Sequence, residues 1–178
     1  NSGGYESIIV PSGMYMDKGA APLRKFLLNK SQIKYLICFE NREKVFPIDS
    51  RFKFVLFTSQ KGDSTDKFKA GFMLHDLGVL NNLENNLIRM DKKLIEKFSP
   101  DTFSIMEFKN QEDIDISTQI YNEFPLIGMQ IPPWKLKFFE EFHLTMDEKR
   151  FNNNNKGLQI YEGKNIWHFT NNLSPTTL

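Results

Sequence analysis

The stretch that decides the fold of this chain is CFENREKVFP at residues 38–47, followed closely by RFKFVLF at residues 51–57. The pattern predicts the end of one buried strand, a charged loop with an aromatic residue beside a proline, and a second strand. Loops of this kind lie at the edge of the sheet where α/β enzymes bind their ligands. The function of the chain is therefore best sought at this loop.

Upstream of this stretch, residues 6–11 are rich in β-branched residues and predict a short buried strand. A helix is predicted after it, with Pro22 in the first turn and Leu23, Phe26 and Leu27 on one face. A strand followed by a helix and another strand is typical of a parallel crossover. We therefore expect the first two strands to run in the same direction.

The central strands are predicted at residues 33–39 and 52–58, where nearly continuous apolar character indicates burial on both faces. The remaining predicted elements are a strand at 67–74, a loop at 81–86 and helices at about 91–98 and 111–124. The apolar faces expected of these two helices are Leu94, Ile95 and Phe98 in the first and Ile116, Ile120 and Phe124 in the second.

The composition is that of a soluble globular protein. The chain has 178 residues, of which 40% are hydrophobic, and its single cysteine, Cys38, is expected in the core. It has neither an apolar run long enough to span a membrane nor an export signal, so we expect cytoplasmic localisation. Its three histidines, His75, His143 and His168, are far apart, and we predict no metal site.

Charge is unevenly distributed although the net charge is only +1. Residues 24–69 contain eleven Lys or Arg against five Asp or Glu, whereas residues 101–125 contain one Lys against six acids. A basic region around a loop at a sheet edge is suited to the phosphates of DNA. A solvated charged face is the alternative explanation of the same pattern.

Several short motifs, in order, carry a resemblance to a known family. They are IIVPS at 8–12, LRKFLL at 23–28, the stretch at 38–57 described above, and YEGK at 161–164. Together they resemble the C-terminal portion of adenine-specific DNA methyltransferases of the type IIG restriction-modification and BREX-like phage-defence families. The resemblance runs from the first residue to about residue 169.

The resemblance implies an α/β fold, a partial Rossmann-like class I methyltransferase sheet with a reversed edge hairpin. Residues 1–125 would be the C-terminal half of the catalytic domain, and residues 126–178 the beginning of an α+β target-recognition region. The parent enzyme would transfer a methyl group from S-adenosylmethionine to the adenine amino group of a specific site. Its partners would be double-stranded DNA and the remainder of the methyltransferase.

The same resemblance implies that this chain is a fragment without catalytic residues of its own. The family's glycine-rich cofactor loop and its Asn-Pro-Pro-Tyr signature both precede the matching region, and neither occurs here. Pro132-Pro133-Trp134 has the wrong neighbours and follows the sheet motifs instead of preceding them. We therefore expect the isolated chain to be inactive.

Phe46 is the principal candidate site residue. Methylation of adenine in a duplex requires that the base be rotated out of the stack and held against an aromatic or apolar face. Val45-Phe46-Pro47 matches the family position that packs on the extruded adenine. Phe39 is the rival for this role, although its place within an apolar strand favours core packing. The residues predicted to bind DNA are Asn41, Arg42, Lys44, Arg51, Lys53 and Lys164.

Two other functions remain open from the residues alone. A noncatalytic DNA-binding or interaction module could be built on the same sheet. A metal-dependent nuclease is a weaker alternative, because Asp101, Glu107 and Lys109 supply two carboxylates and a lysine, but at a poor spacing. The sequence also allows Asn41 to orient its loop through hydrogen bonds from side chain to backbone.

Overall fold

The computed structural model describes residues 3–129, 139–143, 145–151 and 161. The chain forms two compact units, Asn1–Met129 and Gln130–Leu178. The first is a mixed α/β unit built around a five-stranded sheet. In the second, the described residues include a short 3-10 helix at Glu148–Arg150. No helix among the described residues is both long and apolar enough to cross a membrane.

The strands of the sheet are β1 Tyr5–Pro11, β2 Ser31–Glu40, β3 Lys53–Lys61, β4 Lys67–Leu74 and β5 Ile88–Asp91. They lie side by side in the order β1-β3-β2-β4-β5. β3 is antiparallel to both β1 and β2, so β1 and β2 run in the same direction, as the crossover pattern predicts. β4 is parallel to β2, and β5 is antiparallel to β4.

The helices are α1 Gly13–Met16, α2 Ala21–Lys30, α3 Leu83–Asn86, α4 Lys92–Phe98 and α5 Gln111–Glu123. The side chain of Asp91 caps α4 by accepting a hydrogen bond from the Lys93 amide. Asn110 caps α5 in the same way, accepting from the Asp113 amide. Short polar side chains at these positions satisfy amides that have no partner inside the helix, and they explain where both predicted helices begin.

The sheet separates two apolar clusters. The larger one includes Tyr15, Leu28, Leu36 and Cys38, with the buried sides of α4 and α5 packed against it. The smaller one is built on Ile37, Phe39, Phe54 and Leu87. Because successive side chains of a strand point to opposite faces, the two clusters draw alternately on β2. The expectations of a doubly buried central strand and of a core position for Cys38 are both confirmed.

Two expectations about the sheet are wrong. The first strand is not buried: Ile8 is 38% and Ile9 58% exposed, because β1 is an edge strand paired only with β3. The reversed hairpin is present, since β3 runs against β2, but it is not at the edge. β1 lies outside it on one side, and β4 and β5 extend the sheet on the other. The sequence pattern missed the four-residue β5 altogether.

The predicted apolar face of α2 is wrong for two of its three residues, while the third, Leu27, packs against the larger apolar cluster. Leu23 and Phe26 are 48% and 60% exposed, whereas Arg24 is only 2% exposed. The Arg24 guanidinium donates hydrogen bonds to the carbonyls of Thr102, Met14 and Asp17. A planar group with five donors can satisfy several converging carbonyls at once. Arg24 is therefore an internal anchor and does not belong to the basic surface.

The helices nearer the C-terminus give a mixed outcome. In α4 the predicted face is confirmed, because Ile95 and Phe98 are buried and Leu94 packs against them. In α5 it is wrong, because the buried residue is Ile114, and the predicted residues lie in solvent. Those exposed residues are Ile116 at 50%, Ile120 at 50% and Phe124 at 63%. Residues 81–86, expected as a loop, belong to a 3-10 helix at Leu77–Asn82 and to α3.

Candidate functional site

The loop between β2 and β3 is organised by Asn41, whose side chain is fully buried. The Asn41 amide nitrogen donates to the carbonyls of Phe46 at 2.9 Å and Ile48 at 3.2 Å. Its side-chain oxygen accepts a hydrogen bond from the Phe46 amide at 3.0 Å. The predicted role of Asn41 in orienting the loop is confirmed. Because the Asn41 side chain is enclosed, it can affect DNA binding by setting the shape of the loop and not by touching DNA itself.

Phe46 lies on an aromatic ladder. Its ring meets Phe54 edge-on, with centroids 4.9 Å apart, and Phe54 in turn stacks on Phe39 at 5.5 Å. Edge-to-face pairs of this kind are favourable beyond the area they bury. Phe46 is partly buried and held on two sides, by the ladder and by Asn41. Phe39 is fully buried, as its position in an apolar strand predicts.

The loop also displays apolar side chains that the sequence did not single out. Phe52 is 59% exposed, although its place at the start of an apolar run predicted a strand residue. β3 begins only at Lys53, and the Phe52 amide donates to the carbonyl of Asp49 within the loop. Val45 and Ile48 are 40% and 49% exposed. The alternation of charged and apolar residues at 51–54 is typical of a half-buried strand, so nothing in the sequence indicated that Phe52 would be exposed.

Glu40, at the end of β2, lies between two basic groups. Its carboxylate accepts a hydrogen bond from Arg42 at 2.6 Å and lies 3.1 Å from the Nε2 atom of His75. The hydrogen bond from Arg42 is the main cause that holds the pKa of Glu40 below its usual value. The Arg42 side chain remains 64% exposed. Glu40 therefore holds Arg42 through its Nε atom, while most of the Arg42 side chain stays accessible to a ligand.

The side chain of Arg51 is 88% exposed, more than that of Arg42 or Lys53. It pairs with Asp49 at 2.8 Å, and this contact lowers the pKa of Asp49. An ion pair so exposed contributes little to stability, so Arg51 can exchange its partner for a phosphate at little cost. A cleft of about 530 Å³ lies beside the loop, lined by Glu40, Arg42, Ser50 and Arg51.

Lys53 has a different environment from the other predicted DNA-binding residues. Its ammonium is 2.8 Å from the carboxylate of Glu107, which also accepts a hydrogen bond from the Tyr15 hydroxyl. The contact with Glu107 raises the pKa of Lys53. The Tyr15 hydroxyl lies 3.1 Å from the sulfur of Cys38, and burial raises the pKa of both groups. Lys53 therefore neutralises an internal carboxylate and is not a free surface cation.

The same contact removes Glu107 from the carboxylate pair of the nuclease hypothesis. Among the described residues, no group of three or more His, Cys, Asp or Glu side chains is placed to hold a metal ion. Lys44 is exposed in the loop, in a left-handed conformation with φ of 51°. Lys164, the last predicted DNA-binding residue, lies outside the described residues, as do Pro132-Pro133-Trp134.

No protein-family model matches the sequence, and no curated protein matches it either. Among solved structures, the chain is similar to one from a study of the assembly and conformational transition of a type I restriction-modification system. The TM-score is 0.49 and the identity 11%, over 69% of this chain and 33% of that one. It is also similar to the M protein of the type I restriction enzyme EcoKI, with a TM-score of 0.47 and 13% identity, over 68% of this chain and 39% of that one.

The type IIG restriction endonuclease BpuSI is a further similar structure, with a TM-score of 0.45 and 14% identity. It is matched over 68% of this chain and 16% of that chain. The chain thus spans about a third of the first of these structures and less of BpuSI.

Proposed function

We propose that this chain is the C-terminal part of the catalytic domain of a site-specific DNA adenine methyltransferase, of a restriction-modification or phage-defence type. In this proposal the sheet is part of a Rossmann-like class I methyltransferase core. Residues from about 126 onward begin the target-recognition region. Double-stranded DNA and the rest of the methyltransferase are the partners.

The observation that carries the proposal is the loop between β2 and β3. This loop carries a partly exposed phenylalanine, fixed by a buried asparagine, and two accessible arginines, and it follows the end of a central strand. An extruded adenine needs an aromatic face that does not move, and the flanking phosphates need cations. Phe46 supplies the first, while Arg42 and Arg51 supply the second. Phe52, more exposed than Phe46, is a second ring within the same loop.

S-adenosylmethionine would be the methyl donor of the parent enzyme, but the described residues do not fit it. Glu40, the carboxylate that lines the cleft beside the loop, already pairs with Arg42 and lies 3.1 Å from His75, so it is not free to meet a sulfonium cation. The glycine-rich loop and the Asn-Pro-Pro-Tyr signature are likewise missing from the sequence. We therefore assign cofactor binding and methyl transfer to the remainder of the parent, and the holding of the base to this chain.

The test is made in the parent enzyme with Phe46→Ala. Loss of a stacking contact costs about 1–3 kcal/mol, so methylation should slow by about 5- to 160-fold. A duplex with 2-aminopurine at the target position reports base extrusion directly by fluorescence. Phe26→Ala removes an exposed phenylalanine of α2, far from the loop in sequence. It is the control and should leave methylation within about twofold.

Two results would contradict the proposal. One is unchanged methylation and unchanged 2-aminopurine fluorescence in Phe46→Ala. The other is methyl incorporation by the purified 178-residue chain alone, because that would place the cofactor site within it. Salt-dependent DNA binding that is indifferent to Phe46 would instead favour a noncatalytic DNA-binding module.

A further inference from the structure

A second groove lies at the opposite end of the sheet from the loop that carries Phe46. Its volume is about 380 Å³, and four strands contribute to its walls. The residues that line it are Tyr5 from β1, Ile33, Lys34 and Tyr35 from β2, Lys67, Phe68 and Lys69 from β4, and Arg89 from β5. The groove lies where the parallel strands begin, whereas the Phe46 loop follows the end of β2.

A β-bulge in β2 shapes this groove. Ile33 pairs with Ser59 and Tyr35 with Thr58, so Lys34 is an extra residue without a partner opposite it in β3. A bulge redirects the side chains around it and is common beside binding sites. Lys34 and its chain neighbour Tyr35 both line the groove beside this bulge. The backbone irregularity thus brings a cation and an aromatic ring to one place.

The charge in the groove is positive and only partly neutralised. Lys69 pairs with Glu84 at 3.0 Å, and Lys67 lies 3.9 Å from Asp91. Among the described residues, neither Lys34 nor Arg89 forms an ion pair, and the Lys34 ammonium contacts only the neutral side chain of Gln32. Two of the four cations are therefore free to meet a ligand. Cations that share a concave surface attract an anionic polymer more strongly than isolated ones.

Aromatic rings accompany these cations. Tyr5 is 68% exposed at the start of the edge strand, and Tyr35 is half-buried and packs against the smaller apolar cluster. A positively charged groove with accessible rings is the arrangement that binds unpaired nucleotides, because every base has a face that stacks. A duplex offers its phosphates to such a groove but keeps its bases away from the rings.

We propose that this groove binds single-stranded nucleic acid, with phosphates on Lys34 and Arg89 and a base on Tyr5. The groove crosses the sheet from β1 to β5, about 19 Å at the usual strand spacing. That length corresponds to the lower end of the site sizes of about 4–16 nucleotides. Tyr35 and Glu40 are about 17 Å apart along β2, so this site is separate from the Phe46 loop and does not rest on the proposed methyltransferase function.

The test measures binding of a fluorescein-labelled oligo(dT) of twelve nucleotides to the 178-residue chain, by fluorescence anisotropy over a series of salt concentrations. The double variant K34E/R89E should weaken binding at least tenfold. It should also reduce the slope of log affinity against log salt by about 1.4, the effect of two lost phosphate contacts to a single strand. The matched control K93E/K97E changes the net charge equally at two exposed lysines of α4, away from both grooves, and should stay within about twofold.

The aromatic part of the proposal is tested separately. Tyr5→Ala should weaken oligo(dT) binding about fivefold or more, whereas Tyr5→Phe should retain it, since stacking requires the ring and not the hydroxyl. K34E/R89E should weaken binding of the single strand more than binding of a blunt duplex of the same length, because a duplex keeps its bases away from the rings of the groove. Equal weakening by both double variants, no loss with K34E/R89E, or equal losses for duplex and single strand in K34E/R89E would each overturn the proposal.

Discussion

Substituting Asn41 by alanine tests the central structural argument, that one buried side chain holds the loop carrying Phe46. The change removes two donated hydrogen bonds, at 2.9 and 3.2 Å, and one accepted at 3.0 Å. Each is worth about 0.5–1.5 kcal/mol net, and an enclosed backbone group left without a partner costs more. Asn41→Ala should therefore lower the free energy of unfolding by about 2–4 kcal/mol.

The assay is urea unfolding followed by circular dichroism, together with hydrogen exchange of residues 41–52. Exchange in this segment should accelerate more than in the strands, because Asn41 bonds only to the loop and the entrance of β3. Asn86→Ala is the matched control. Its side chain makes one exposed hydrogen bond, to the Val79 carbonyl at 3.1 Å, so its removal should cost less than about 1 kcal/mol. Equal losses in the two variants, or unchanged exchange in the loop, would refute the reasoning.

The remaining predictions concern the interior polar contact and α5. Glu107 raises the pKa of Lys53, and burial raises that of Tyr15, so both stay above their unfolded values of about 10.4 and 10. The contribution of these two groups to the free energy of unfolding is therefore complete below about pH 10 and is lost as the pH rises further. Urea unfolding measured at about pH 8 and at about pH 11 would show this loss. Tyr15→Phe should cost about 1–3 kcal/mol at neutral pH and flatten that decline, and an unaltered pH profile would contradict the assignment. In thermal unfolding, Ile114→Ala should lower the free energy of unfolding by about 2–4 kcal/mol, and Ile116→Ala by less than about 1 kcal/mol, because Ile114 is 1% and Ile116 50% exposed. Similar losses in the two variants would contradict the observed buried face of α5.

The sequence predicted the strands of the sheet better than their surroundings. Long apolar runs specify β2, β3 and β4 because a strand buried on both faces has little choice of residue. Whether a strand lies inside a sheet or at its edge depends on pairing with distant segments. Ile8 and Ile9 look like core residues and yet belong to an edge. The short β5 is specified mainly by its partner β4, and so leaves no periodic signal.

The helix faces show the limit of periodicity. In α2 the apolar spacing of Leu23 and Phe26 suggests a buried stripe, but the protein buries Arg24 because distant carbonyls satisfy its donors. No local pattern reveals such long-range partners. At the candidate site, the hydrogen bonds of Asn41 could be predicted, because a short polar side chain in a loop commonly bonds to nearby backbone groups. The pairing of Lys53 with Glu107, 54 positions away, could not be predicted.

The enclosed thiol of Cys38 has a consequence for observing this protein. It is the only cysteine in the sequence, it has no exposed surface, and burial raises its pKa. Since the thiolate is the reactive form, an alkylating reagent can modify Cys38 only when the middle of the sheet opens. If the sheet closes faster than the reagent reacts, the alkylation rate is proportional to the equilibrium constant for opening. A destabilisation of the closed sheet by about 1.4 kcal/mol then raises the alkylation rate tenfold. The rate of Cys38 alkylation therefore reports how often the central strand β2 opens.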